Sequence, residues 1–229
     1  MLYALRHPLA LIALLAGFLA GVVAHGVAQA LVARRLGEPF LGGGRRLLDP
    51  RRHLDPFGAI AAALAGPGWG TSPELGRLRM RSPRRYAGAL LAGPLANLVL
   101  AAVGIGGFLL AGGAGFVLDG SMVAPGVRGS LLPGSAAQTV LLLFGVENLA
   151  MGLLSLVPLP PLDGGRALFA LGPRSPGWQR AEYTLSEQNW GILAVLLLLV
   201  LPLAGALPPL LFLLDQVGSW LLSPFSAGG

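Results

Sequence analysis

Four long apolar stretches divide the chain, at residues 9–32, 86–117, 135–157 and 189–214. Each is long enough to cross a bilayer, which takes about 20 helical residues. Pro202, Pro208 and Pro209 should kink or break the last stretch. The pattern predicts an all-α fold: a polytopic membrane protein with about four full transmembrane helices, in a single membrane-embedded domain over residues 1–229.

Two shorter stretches do not fit a full crossing. Residues 56–69 are rich in alanine and glycine and are too short to span, which favours a re-entrant segment. Residues 159–171 contain Pro-Pro and Gly-Gly, and predict irregular backbone. Such backbone is tolerated at membrane depth only where it packs inside protein or lines a wet cavity.

Composition supports a membrane protein, because 54% of the 229 residues are hydrophobic and only 11% are charged. The absence of cysteine excludes disulfides and thiolate metal sites. The formal net charge of +6 comes from arginines between apolar stretches, which indicates contact with the lipid bilayer and membrane orientation, not nucleic acid. The first stretch is too long for a signal peptide core, so we interpret it as a retained helix.

Arginines cluster on both sides of the 56–69 segment. They are Arg34, Arg35, Arg45, Arg46, Arg51 and Arg52 before it, and Arg77, Arg79, Arg81, Arg84 and Arg85 after it. The positive-inside rule places both clusters in the cytoplasm, so the 56–69 segment should enter and leave on the same side. The first and third stretches then both run inward, with the N-terminus outside, in what we expect to be a prokaryotic cytoplasmic membrane.

His25 and Gln29 lie one helical turn apart in the first stretch, on one face. A zinc-hydrolase helix carries histidines at i and i+4, with a glutamate general base beside the first. Here Gly26 occupies the base position. Asp163 lies just past the third stretch, at a depth similar to that of His25, about 24 Å below residue 9. Taken alone, Asp163 is as consistent with a turn as with a site carboxylate.

Other polar residues also lie at membrane depth. Asn97 needs a hydrogen-bond partner, and Glu147 and Asn148 lie within the third stretch. His53 is interpreted first as an interfacial residue, with an Asp55 partner or a substitute site residue as alternatives. We expect Gln29, Asn97, Asn148 and His53 to line a site, and assign no role to Glu147.

Together these residues resemble the site-2 protease family of intramembrane zinc metalloproteases. The resemblance covers roughly residues 9–170 and follows, in order, the segments 25–29, 33–37, 53–58, 68–69, 92–97 and 158–166, with Asn148. It implies that His25, residue 29 and Asp163 are the zinc ligands and that residue 26 is the base. This chain departs from the family pattern at two of these four positions, Gly26 and Gln29. It also has Gly70-Thr71-Ser72-Pro73 where Ala-Lys-Pro is usual in the family.

Three function classes follow. The first is a non-catalytic pseudoprotease that binds or regulates transmembrane protein segments. In this class no residue is assigned as catalytic, no cofactor is expected, and His25 and Asp163 are vestigial ligands. The second is an active intramembrane zinc metalloprotease with an altered site. The third is a small transporter or membrane scaffold. We favour the first, because catalytic zinc usually takes three protein ligands and an activated water.

Overall fold

The computed structural model describes residues 1, 4–37, 48–73, 75, 82–113, 135–202 and 207–223. The regular secondary structure of this part of the chain is helical, and a single antiparallel bridge joins Leu54 to Gly70. The helices are α1 (Pro8–Arg35), α2 (Pro56–Ala65), α3 (Pro83–Leu110), α4 (Ala136–Ser155), α5 (Asp163–Leu171), α6 (Pro176–Glu182), α7 (Trp190–Val200) and α8 (Pro209–Leu222). The all-α polytopic prediction is confirmed.

Helices α1, α3 and α4 are long and apolar enough to cross a membrane, and they pack against one another. Their directions follow from which residues meet. Gly93 and Leu90 of α3 lie beside His25 and Gln29 of α1, so these two helices are antiparallel. Gly17 and Gly21 of α1 lie beside residues 144 and 148 of α4, so α1 and α4 are parallel. The end of α1 and the end of α4 therefore lie at the same end of the bundle.

Small residues set the spacing of α3 and α4. A Cβ added at Gly104 would lie 2.7 Å from Cα of Gly145, so neither position accepts a side chain without separating the helices. Without a hydrophobic driving force between helices in lipid, such close approach supplies the dispersion contacts that hold them together.

The fourth predicted span is not one helix. Helix α7 ends at Val200 and α8 begins at Pro209, as the prolines predicted. A π-helical turn at Tyr183–Glu187 continues α6, and this segment meets α7 at a bend of 68°. The described residues therefore contain three long spans, or four if the bent pair counts as one crossing.

The prediction of irregular backbone over 159–171 is wrong in its second half. Only the turn up to Leu162 is irregular, and α5 begins at Asp163. Gly164 and Gly165 pack directly against the backbone of residues 156–160, which fixes the turn against the start of the helix. The carboxylate of Asp163 in the first turn is favoured by the helix dipole.

Some predicted features lie outside the described residues. These are the end of the second apolar stretch at 114–117 and the arginines Arg45, Arg46, Arg77, Arg79 and Arg81. Helix α2 ends at Ala65 and is too short to span, in agreement with the prediction for residues 56–69.

Candidate functional site

The structure brings together His25 of α1 and Asp163 of α5, which are 138 positions apart in the sequence. The His25 Nε2 atom lies 2.7 Å from Oδ2 of Asp163. Both side chains are buried, at 6% and 4% exposure. His25 lies ten residues before the end of α1, about 15 Å from it along the helix. The pair therefore sits inside the bundle, towards the end that carries Arg34 and Arg35.

A chain of hydrogen bonds fixes the orientation of His25. The Asn148 amide nitrogen donates to the carbonyls of Gly17 (3.3 Å) and Phe144 (2.9 Å), so the Asn148 Oδ1 atom is an acceptor. The Asn97 amide nitrogen donates to that oxygen at 3.3 Å. Oδ1 of Asn97 therefore faces Nδ1 of His25, at 2.8 Å, and this nitrogen must carry a hydrogen.

This constraint means that His25 and Asp163 share a proton. With Nδ1 protonated, a contact of 2.7 Å between Nε2 and a carboxyl oxygen requires one further proton, on one atom or the other. The other carboxyl oxygen accepts a hydrogen bond from Oγ of Ser72 at 2.9 Å, and the Arg166 guanidinium lies 3.8 Å from it.

Gln29 connects α1 to α3 by a hydrogen bond to the backbone carbonyl of Leu90. This carbonyl lacks its usual helical donor because residue 94 is proline. Pro94 lies inside α3 and has no N–H to donate to the carbonyl of Leu90, four residues earlier. The Gln29 side-chain nitrogen donates to this oxygen at 2.9 Å, and also lies 3.1 Å from Nε2 of His25. Since Gln29 is fully buried, its amide compensates for a hydrogen bond that the α3 backbone cannot make.

The space beside Gly26 is filled by another residue. A Cβ added at Gly26 would overlap the His53 imidazole, with Nδ1 as the nearest atom. His53 is 4% exposed and so lies inside the protein; its interpretation as a residue at the membrane interface stays a prediction. It is held there because it ends the 3₁₀ turn Pro50–Arg52 and its carbonyl accepts the N–H of Thr71 at 2.7 Å. Asp55 instead caps α2 by accepting the Gly58 N–H.

The backbone of α3 lies directly against the other face of His25. A Cβ at Gly93 would overlap the His25 ring at Nε2. Glycine at this position allows α3 to approach α1 closely enough for Gln29 to reach Leu90. Glu147, which had no role assigned from sequence, is buried on α4, where its side-chain carbons face Gly17 of α1.

The donor set does not fit a catalytic zinc ion. The His25 imidazole, with Nδ1 held by Asn97, is oriented as metal-ligating histidines are, and Asp163 supplies a carboxylate. Position 29 offers only an amide oxygen, Oε1 of Gln29, which is buried and accepts no hydrogen bond from the described residues. Amide oxygen is not among the usual zinc donors. No group of three His, Cys, Asp or Glu side chains that could hold a metal occurs in the described part.

Sequence reasoning missed two side chains that contact Asp163, namely Ser72 and Arg166. Ser72 lies in the Gly-Thr-Ser-Pro segment that departs from the family pattern, and this departure was the available signal. Arg166 is one helical turn after Asp163, the spacing at which helical side chains meet. The assignment of His25 and Asp163 as vestigial metal ligands stays a prediction.

Comparison with known proteins gives one informative result. No family model matches the chain, and no solved structure matches it. The chain is 36% identical over 205 residues to the protein named "Putative zinc metalloprotease YwhC" of Bacillus subtilis (strain 168), an alignment that covers 88% of this chain and 86% of that relative. With its membrane-type helices, the chain therefore belongs to the metalloprotease-like family of which this bacterial protein is a member.

Proposed function

We propose that this chain is a non-catalytic member of its family, a pseudoprotease of the site-2 protease type that binds or regulates transmembrane protein segments. The observation that carries the proposal is the chemistry at positions 26 and 29. Position 26 has no side chain, and its space holds the His53 imidazole. Position 29 carries an amide whose nitrogen is engaged by α3.

The missing groups are those that hydrolysis needs. A zinc hydrolase uses a general base to take a proton from the attacking water, and three protein ligands to hold the metal. This chain retains two ligand-type side chains, His25 and Asp163, and these contact each other directly. His53 and Glu147 do not complete a metal-binding group with them in the described structure. The direct contact of His25 with Asp163, in a chain that has glycine at the general-base position, supports a binding role.

A groove beside the site offers a place for a partner segment. A cavity of about 320 Å³ opens next to Ser72 and Arg166, the two residues that contact Asp163. Its wall combines apolar side chains of α7 and of the preceding turn with polar groups and the Pro160-Pro161 turn; the lining includes Trp69, Leu185, Ser186, Glu187 and Ile192. A mixed wall of this kind suits a transmembrane segment whose helix is locally unwound.

Metal content and proteolysis test the non-catalytic part. Detergent-purified protein, prepared in parallel with the Bacillus subtilis relative, should contain far less than one zinc per chain by elemental analysis. A model single-span substrate should remain intact after incubation with it. One zinc per chain that only a strong chelator removes, or cleavage that His25→Ala abolishes, would show that the chain is an active metalloprotease with an altered site.

Site-specific photocrosslinking tests the binding part. A photoreactive amino acid at Ile192, which lines the cavity, should give discrete protein adducts in membranes. The matched position is Leu193, the next residue on α7, which is 45% exposed and does not line the cavity. Equal adducts from both positions, or lipid adducts alone from both, would remove the support for a partner in this groove.

A further inference from the structure

A second and larger cavity lies away from His25 and Asp163. Its volume is about 650 Å³, and it is an open cavity bordered by the start of α3, the end of α5 and helix α6. A cavity of this size is within the usual range of small-ligand sites, about 300–1,000 Å³. The lining residues are Ser82, Pro83, Arg84, Phe169, Ala170, Leu171, Gly172, Pro173, Arg174, Trp178, Gln179 and Glu182.

Two guanidinium groups give this cavity its charge. Arg84 and Arg174 line it from different segments of the chain, and both are exposed. In the described part of the chain neither forms an ion pair with a carboxylate, so both have donors free for a ligand. Among the described residues of the lining Glu182 is the single acidic one, so these residues carry an excess of positive charge.

Two aromatic side chains, Phe169 and Trp178, form part of the cavity wall. The Trp178 ring lies 4.9 Å from the Phe169 ring, centroid to centroid, and its Nε1 donates to the Phe169 carbonyl at 3.5 Å. Gly172 allows the indole to pack directly on the chain, because a Cβ there would overlap the ring. The indole is therefore fixed by the fold. Tryptophan is enriched at the level of lipid headgroups.

The position along the bundle places the cavity at a membrane surface. Pro83 and Arg84 are the first residues of α3, a helix long and apolar enough to span. Because α1 and α3 are antiparallel, this end of α3 lies beside the arginine-bearing end of α1. Leu171, which borders the cavity, is 54% exposed, so an apolar side chain lies on the protein surface beside the cavity.

We propose that this cavity binds the phosphate of an anionic phospholipid headgroup, with Arg84 and Arg174 as its ligands. Guanidinium groups match phosphate oxygens in geometry as well as charge. Basic pockets between transmembrane helices at the cytoplasmic face are suited to such headgroups. The exposed Leu171 beside the phosphate position favours a lipid, whose acyl chains need an apolar exit, over free phosphate.

Thermal stabilisation in neutral detergent tests the site. Phosphatidylglycerol should raise the unfolding temperature of the wild-type protein in a saturable way, while phosphatidylcholine and inorganic phosphate should have little effect. The double variant R84Q/R174Q should weaken the apparent affinity for phosphatidylglycerol by about 100-fold, since each charge-assisted hydrogen bond contributes on the order of tenfold. R84K/R174K should retain part of the affinity, because it keeps the charge.

The control is R85Q/R180Q, which removes the same charge from exposed arginines next to the cavity that do not line it. This variant should bind phosphatidylglycerol nearly as the wild type does. Equal loss in both double variants would show diffuse attraction between a basic surface and anionic lipid. Protection by inorganic phosphate as strong as by lipid would overturn the lipid assignment. If R84Q/R174Q fails to fold, the lysine variant and the control still decide between these outcomes.

Discussion

Gln29 is the residue at which a structural role and a metal-binding role predict different effects of a substitution. The change Gln29→Leu keeps a buried side chain of similar size but removes the donor to the Leu90 carbonyl. Because Pro94 has no N–H, this carbonyl then has no partner from its own helix. A buried acceptor left unsatisfied costs about 1–3 kcal/mol. For a chain of about 150–250 residues this corresponds to a fall in Tm of about 2–12 °C.

A double-mutant cycle with Pro94→Ala isolates this one hydrogen bond. Alanine at position 94 restores an N–H in the α3 backbone, which can donate to the carbonyl of Leu90. In that background Gln29→Leu should cost less, by about 1–2 kcal/mol, since the carbonyl keeps a partner. The contact of Gln29 with His25 is removed in both backgrounds, so it cancels in the coupling energy. The four proteins are compared by thermal unfolding in one detergent, with zinc content measured on each.

Two results would refute this reasoning. If Gln29→Leu has the same cost with and without Pro94, its amide does not serve the Leu90 carbonyl. If the wild-type protein carries stoichiometric metal that Gln29→Leu removes, the amide oxygen is a ligand and the non-catalytic proposal fails.

Two further predictions concern topology and the buried pair. Single cysteines at Arg52 and Arg85, in a chain without native cysteine, should label from the same side of sealed vesicles; labelling from opposite sides would make the α2 segment a full crossing. Asp163→Leu should destabilise the protein by about 1–3 kcal/mol, because Nε2 of His25 loses its shortest polar contact, while His25→Leu with Asp163→Leu should recover part of this loss in thermal unfolding. An additive loss in the double variant would contradict the direct contact between the two side chains.

The sequence was sufficient to place His25 and Asp163 at one depth, because charge fixes direction and helix rise fixes distance. The same reasoning gave the long spans and the proline break between α7 and α8. It failed at α5, where Gly164 and Gly165 indicated irregular backbone. The structure shows that these glycines allow the start of the helix to pack closely on the preceding turn. This is a tertiary contact, which composition does not reveal.

The contacts of Gln29 and His53 lay beyond sequence reasoning for different reasons. Pro94 in a predicted span does signal a carbonyl without a helical partner at residue 90, but it does not say which helix supplies the donor. The packing of His53 over Gly26 depends on a turn and a bridge formed by residues 50–71, and these are set by long-range contacts. A missing side chain can be read from a sequence, whereas the group that takes its place cannot.

This replacement changes what is needed to rebuild a hydrolytic site. From sequence, Gly26→Glu with Gln29→His restores the base and the second histidine on one helix face. In the structure, the Cβ of any side chain introduced at position 26 would overlap His53. His53 is buried, and its backbone carbonyl accepts a hydrogen bond from Thr71. We therefore expect Gly26→Glu alone to bind no zinc and to lower stability by about 1–3 kcal/mol, as overpacked cores do.

Adding His53→Ala to the double change opens the space that the glutamate needs. The triple variant should bind more zinc than the double variant, measured by elemental analysis after dialysis. His53→Ala in the wild-type background is the control, and should gain no zinc, since it supplies neither base nor ligand. Occupancy in the triple variant can still fall short of one, because partners around ligands affect affinity by about 10–100-fold. Equal zinc in the double and triple variants, with no loss of stability in Gly26→Glu, would mean that the His53 ring moves aside freely. His53 would then not be what closes this position to a general base.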